Sequence, residues 1–212
     1  MEKNFLISLR FMFAMAVIFG IGITARAAGK WDMAAGIRDT RYIFADVTFD
    51  SHAYLRAEHS VYSYDFIYQY WRLYAGGKLA VPYADFDINA FYGRTWCGNY
   101  YSAGALVSCR ILPPGPVCIF GTLNPLYDSG FRYNTCFAAG LAVRLCKPVS
   151  LRASYTTIPE FRESEKAVRA GVDVHIGGLS VVPELSVPVD PRNRSRKLRM
   201  LISFSYTFSL NQ

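Results

Sequence analysis

Over most of its length the chain alternates apolar and polar residues one at a time, and few folds can satisfy that pattern. From Ala84 to Tyr92 one face would carry Ala84, Phe86, Ile88, Ala90 and Tyr92, and the other Asp85, Asp87 and Asn89. The same period runs through residues 149–155, 168–176 and 198–208. Successive side chains of a β-strand point to opposite faces, so each stretch reads as a strand with one apolar and one polar side. No stretch beyond residue 27 carries a helical period, which predicts an all-β chain.

Alternation alone does not say which side meets water. A secreted β-sandwich would hide its apolar side, whereas a barrel in lipid turns it outward and lines its lumen with the polar side. Three features favour the barrel. Lys3 and Arg10, the apolar run 11–23 and Ala25-Arg26-Ala27 read as a signal peptide over residues 1–27, cut before Ala28. That run, about 13 residues, falls short of the roughly 20 a spanning helix needs. Its removal takes Lys3, Arg10 and Arg26 against Glu2, so a net charge of +7 becomes +5, from 20 basic and 15 acidic residues. Aromatic residues make up 16% of the chain and charged ones only 18%, a balance suited to a surface that meets both lipid and headgroups. Trp31, Trp71, Trp96, Tyr100 and Tyr101 fall near strand ends, where an interfacial belt would lie. A closed barrel is also the β structure that crosses a bilayer with every backbone group paired.

Strands are expected near 40–49, 52–62, 66–77, 84–95, 99–111, 116–124, 134–145, 149–157, 165–176, 179–189 and 198–208. That makes eleven, but single-chain bacterial barrels have an even number. The connections resolve the count. Working back from the C-terminus, 190–197 is long, 177–178 short, 158–164 long, 146–148 short, 125–133 long and 112–115 short. Long connections lie outside and short ones in the periplasm, which puts Asp50-Ser51 in the periplasm and makes 40–49 run downward. A strand running upward must precede it, and Trp31 to Arg38 alternates as required. Residues 28–212 are therefore expected to form a single antiparallel transmembrane barrel of about 12 strands. Ten would follow if the first segment frays and two weaker segments merge.

With this strand pattern and a last strand carrying Phe204, Tyr206 and Phe208, the chain resembles the small outer-membrane β-barrel proteins of Gram-negative bacteria with no assigned activity. The resemblance implies a place in the cell outer membrane, contact with its lipids and lipopolysaccharide, and insertion by the barrel-assembly machinery. Ser209-Leu210-Asn211-Gln212 trail beyond the aromatic strand and depart from a terminal-Phe signal. No chemistry is implied.

On these registers Arg56, Arg72, Arg110, Arg144, Arg152, Arg169 and Arg199 face the lumen, with Asp46, Glu58, Asp85, Asp87, Asp173 and Glu184. The two signs nearly cancel. Isolated charges in a narrow lumen would be costly to desolvate, so the set reads as an ion-pair network filling the interior. A wide diffusion pore would want a barrel of about 16 strands. Arg192, Arg194, Arg196 and Lys197 share one outer loop and suit lipopolysaccharide phosphates, which Arg engages bidentately, although a solvated loop fits equally well. The loops 158–164 and Pro125 to Arg132 add aromatic and mixed-charge residues at the outer surface.

Outer-membrane lipid A deacylases are similar in size and barrel form, and use Ser, His and an acid near the lipid face. Glu58-His59-Ser60 invites that comparison, with His59 on the apolar face. Adjacent strand residues point apart, so His59 cannot activate Ser60, and Ser63 would serve only if a turn brought it round. Cys97, Cys109, Cys118, Cys136 and Cys146 match no zinc spacing beside only three His and read as small apolar fillers. No cofactor is expected, and nucleic acid is excluded by the compartment. The expected role is a structural or surface-interacting barrel with a largely filled lumen. A lipid hydrolase and a narrow solute channel are the alternatives.

Overall fold

The computed structural model describes residues 30–61, 69–96, 98–130, 132–157, 166–189 and 198–210. They form twelve antiparallel strands: β1 (Trp31–Arg38), β2 (Tyr42–Phe49), β3 (Ala53–Ser60), β4 (Gln69–Val81), β5 (Ala84–Thr95), β6 (Tyr100–Ile111), β7 (Val117–Asp128), β8 (Arg132–Cys146), β9 (Val149–Thr156), β10 (Ala167–Ile176), β11 (Leu179–Pro188) and β12 (Arg199–Leu210). Each strand pairs with its neighbours in sequence, and β1 pairs with β12 to close the barrel. The N-terminal segment is thus a full strand, matched to β2 from Trp31–Phe49 to Arg38–Tyr42 and to β12 from Trp31–Leu210 to Ile37–Phe204. A strand this short and alternating is stable only because both of its edges are satisfied.

The turns at 50–52, 82–83, 112–116, 147–148 and 177–178 share the end that holds Trp31 and Leu210. By the rule for outer-membrane barrels this end is periplasmic. Asp50 and Ser51 both adopt positive φ, the twist a tight hairpin needs, and Asp50 is tied to Lys30 by a hydrogen bond from the Lys30 N–H to its side chain at 3.0 Å.

Three expectations are corrected. The connection 125–133, read as a long outer loop running from Pro125 to Arg132, shrinks to 129–131 because β7 continues to Asp128 and β8 starts at Arg132. Pro125 looks like a stop, since it has no N–H to donate. The strand instead keeps its register past it and leaves a gap in the ladder to β6 between the pairs Gly104–Leu126 and Val107–Leu123. β4 runs to Val81 rather than 77, leaving a two-residue turn at Pro82-Tyr83. Ser209 and Leu210 belong to β12, where Ser209 Oγ donates to Asp32 at 2.6 Å across the closing seam. The signal peptide, Cys97, Ser63 and the loops 158–164 and 190–197 lie outside the described residues.

The exterior is apolar, with Leu73, Ile88, Leu123, Leu141, Leu151, Val168, Leu185 and Phe204 all exposed on outward-facing registers. Aromatic side chains flank this band. Near the outer end Trp71 packs on Tyr92, Tyr92 on Tyr101, Tyr127 on Tyr133 and Phe137 on Tyr155. At the periplasmic end Trp31 meets Phe49, and Tyr206 meets Phe208. Rings with a polar edge are favourable where hydrocarbon gives way to headgroups. Trp96, expected in such a belt, turns inward instead and packs against the lumen cluster described below.

Candidate functional site: the lumen

The pairing registers place all thirteen sequence-predicted lumen charges on the inward face. They meet different fates there. On the side built from β1–β3 and β9–β11, ion pairs run continuously. Arg56 binds Asp46 at 2.8 Å and approaches Glu58 at 3.9 Å. Arg38 binds Glu58 at 3.1 Å and Asp39 at 2.7 Å. Arg169 lies 3.7 Å from both Asp39 and Glu184, and Arg152 lies 3.2 Å from Glu184 and 3.5 Å from Asp173. Glu58 is 2% exposed and Glu184 6%. Carboxylates held that dry need the guanidiniums around them.

Two members of this chain escaped the sequence reading. Arg38 sits at the outer end of β1, and Asp39 lies in the tight turn that follows it. In the structure Asp39 adopts positive φ, is buried, and bridges the β1–β3 cluster to β10. Its backbone N–H donates to Ser203 Oγ at 3.0 Å, which anchors the turn over β12. A charged residue at a tight outer turn was the available signal, but its inward fold depends on neighbours three strands away.

The opposite wall is filled differently. Phe91, Leu126 and Cys136 form a buried apolar cluster, with Tyr74 and Trp96 packed on it. Arg72, 4% exposed, lays its guanidinium over the Phe91 ring at 4.3 Å and donates to Ser102 at 3.1 Å. Thr95 donates to Asp128, and Tyr74 donates to Glu58 at 3.3 Å, linking the apolar and ionic halves. Glycines make this packing feasible: a Cβ on Gly104 would stand 2.8 Å from the Phe91 ring, and one on Gly140 would strike the Phe120 ring. Phe91 shares the parity of Asp85, Asp87 and Asn89, so alternation by itself assigns it to the polar side of β5 and does not reveal an aromatic core in the lumen.

Toward the periplasm the lumen opens. A cavity of about 950 Å³ is lined by Asp85, Asp87, Arg110, Arg144, Arg152 and Asp173 together with turn residues such as His52 and Pro113. A second, of about 620 Å³, reaches up to Arg38, Glu58 and Glu184. Asp87 is engaged by Tyr54 Oη at 2.6 Å, and Asn89 donates to that same oxygen at 2.7 Å. Arg199 faces inward across from Ser186. Arg192, Arg194, Arg196 and Lys197 lie outside the described residues.

His59 is on the outward face, paired in register with Ile43 and Trp71, and its ring meets Tyr70 at 5.1 Å. Its Nδ1 is 2.6 Å from the Ser60 carbonyl, so the proton sits on Nδ1 and points at backbone rather than at a hydroxyl. Cys109, Cys118 and Cys146 are free thiols.

No protein-family model and no curated protein matches the chain. Among solved structures, the KdgM porin in complex with disordered oligogalacturonate is similar over 84% of this chain and 99% of its own, with a TM-score of 0.55 at 9% identity. The NanC porin is similar over 86% and 100%, with a TM-score of 0.45 at 7% identity. LpxR from Salmonella typhimurium is similar over 84% and 99%, with a TM-score of 0.39 at 9% identity. A closed twelve-strand barrel with an apolar, aromatic-rimmed exterior has one place to reside, and the chain has the fold of an integral β-barrel of the cell outer membrane.

Proposed function

We propose that this barrel is a non-enzymatic envelope protein with a structural or surface-interaction role, its outer half kept shut from within. The observation that carries the reading is the unbroken run of ion pairs from Asp46 to Asp173, set against the Phe91–Leu126–Cys136 cluster across the lumen. Opening a path through it would strand buried charges, at a cost of several kcal/mol for each ion left unpaired. The cations of the 190–197 loop, Arg192, Arg194, Arg196 and Lys197, would meet lipopolysaccharide phosphates at the outer leaflet. The barrel-assembly machinery would insert the chain.

Planar-bilayer recording tests this reading. The wild-type protein is expected to give no discrete conductance steps. The double variant Glu58→Gln with Glu184→Gln is expected to flicker open. Steady steps from the wild type would replace the closed barrel with a second reading, a narrow solute path. One observation favours that second reading: the two cavities share Asp87, Ser108, Arg110, Thr122 and Arg152 in their linings, so the space beneath the ionic layer is continuous with it.

A further inference from the structure

Most lumen guanidiniums are engaged. Arg38, Arg56, Arg152 and Arg169 belong to the ionic layer, and Arg72 is held by Ser102 and the Phe91 ring. Arg110 and Arg144 differ. Both line the periplasmic cavity and are exposed to it, and neither has a carboxylate of a described residue within 4.0 Å. Asp85 stands directly across the β5–β6 ladder from Arg110 yet makes no ion pair with it. The other two carboxylates of the cavity are taken, Asp87 by Tyr54 and Asp173 by Arg152. The β6–β8 sector of the wall thus presents two unspent forks, with the Ser108, Thr122 and Ser150 hydroxyls nearby and Phe120 as an aromatic floor.

The geometry points to a binding site for an oxyanion, carboxylate or phosphate, carried by a small molecule that enters from the periplasm. Guanidiniums bind such groups through paired N–H donors, and a walled cavity focuses their field onto the ligand. A cavity of about 950 Å³ accommodates a multi-atom ligand. The site is independent of whether the outer half conducts, so a silent or a conducting barrel in planar bilayers leaves it standing.

Cys118 is a natural reporter. It faces the same cavity from β7, between the strands that carry Arg110 and Arg144, and its thiol is free. In a full-length barrel with Cys97, Cys109 and Cys146 replaced by Ser and Cys136 by Ala, two methanethiosulfonate reagents would be compared, one bearing a sulfonate and one a trimethylammonium group. The sulfonate reagent is expected to be favoured, and the sulfonate-to-ammonium rate ratio is expected to fall about tenfold or more in Arg110→Gln with Arg144→Gln. Citrate and inorganic phosphate are each added as competitors. Slower labelling with citrate assigns a carboxylate ligand and with phosphate a phosphate ligand, and both effects should vanish in the double variant. Folding of every variant is checked by its heat-dependent gel mobility. If the cysteine-depleted barrel does not fold, calorimetric titration of the wild-type barrel with citrate and phosphate, repeated on the two-arginine variant, decides the matter. An unchanged rate ratio, no protection by either anion, or equal heats from both proteins overturns the site.

Discussion

Asp39 carries more structure than its place in a turn suggests. Its carboxylate joins Arg38 to Arg169, and so joins the β1–β3 cluster to β9–β11. Asp39→Asn keeps the shape but removes the charge, leaving two guanidiniums under-compensated in a dry lumen. The expected cost is about 1–3 kcal/mol, read as an earlier midpoint in urea unfolding from lipid vesicles followed by tryptophan fluorescence. Gly104 acts by absence. A Cβ there would strike the Pro125 carbonyl as well as meet the Phe91 ring at 2.8 Å, so Gly104→Val is expected to press β6 away from β7, to push Phe91 off the apolar cluster and to raise conductance above wild type in planar bilayers. Stability of that variant should fall by about 1–3 kcal/mol, as for other overpacked sites.

At the scale of elements, β1 decides whether the sheet closes. Gly36 lies so close to β12 that any Cβ would strike the Phe204 carbonyl and the Ser205 backbone. Gly36→Val is therefore expected to break the β1–β12 seam and abolish the heat-modifiable gel band of the folded barrel. Gly115→Ala is the control: nothing stands within 4 Å of its position, though its positive φ adds a modest backbone strain. Pro125 illustrates the converse, a residue that breaks a ladder without ending a strand. β7 survives it because the alternation of Leu123, Pro125 and Tyr127 outward with Asn124, Leu126 and Asp128 inward holds the register on both sides of the gap.

For the whole molecule, the lipid-facing band sets the rule for substitutions. Leu141, mid-strand on β8 and exposed outward, should tolerate Arg poorly: Leu141→Arg is expected to cost about 2–4 kcal/mol of folding in bilayers. Tyr133, at the outer end of the same strand and 86% exposed, should lose only about 0–1 kcal/mol as Tyr133→Arg. Equal costs at the two positions would contradict a membrane midplane crossing β8 near Leu141. Titration of refolding into vesicles against urea measures both.

The barrel itself was legible in the sequence because it rests on a local property. Parity along a strand decides the face of each side chain, so the alternation at 84–92 or 168–176 assigns inside and outside before any pairing is known. The even strand count and the turn lengths then required β1. Which charges meet is a different kind of fact. Arg169 and Asp39 are 130 positions apart in the chain, and only closure of the sheet brings them to 3.7 Å. The same holds for Phe91, Leu126 and Cys136, which come from three strands and form a core on the side that alternation marks as polar. Arg110 and Arg144 read in sequence like every other lumen arginine; register alone left them facing open space. Local period determines the wall of this protein, and the long-range register determines what fills it.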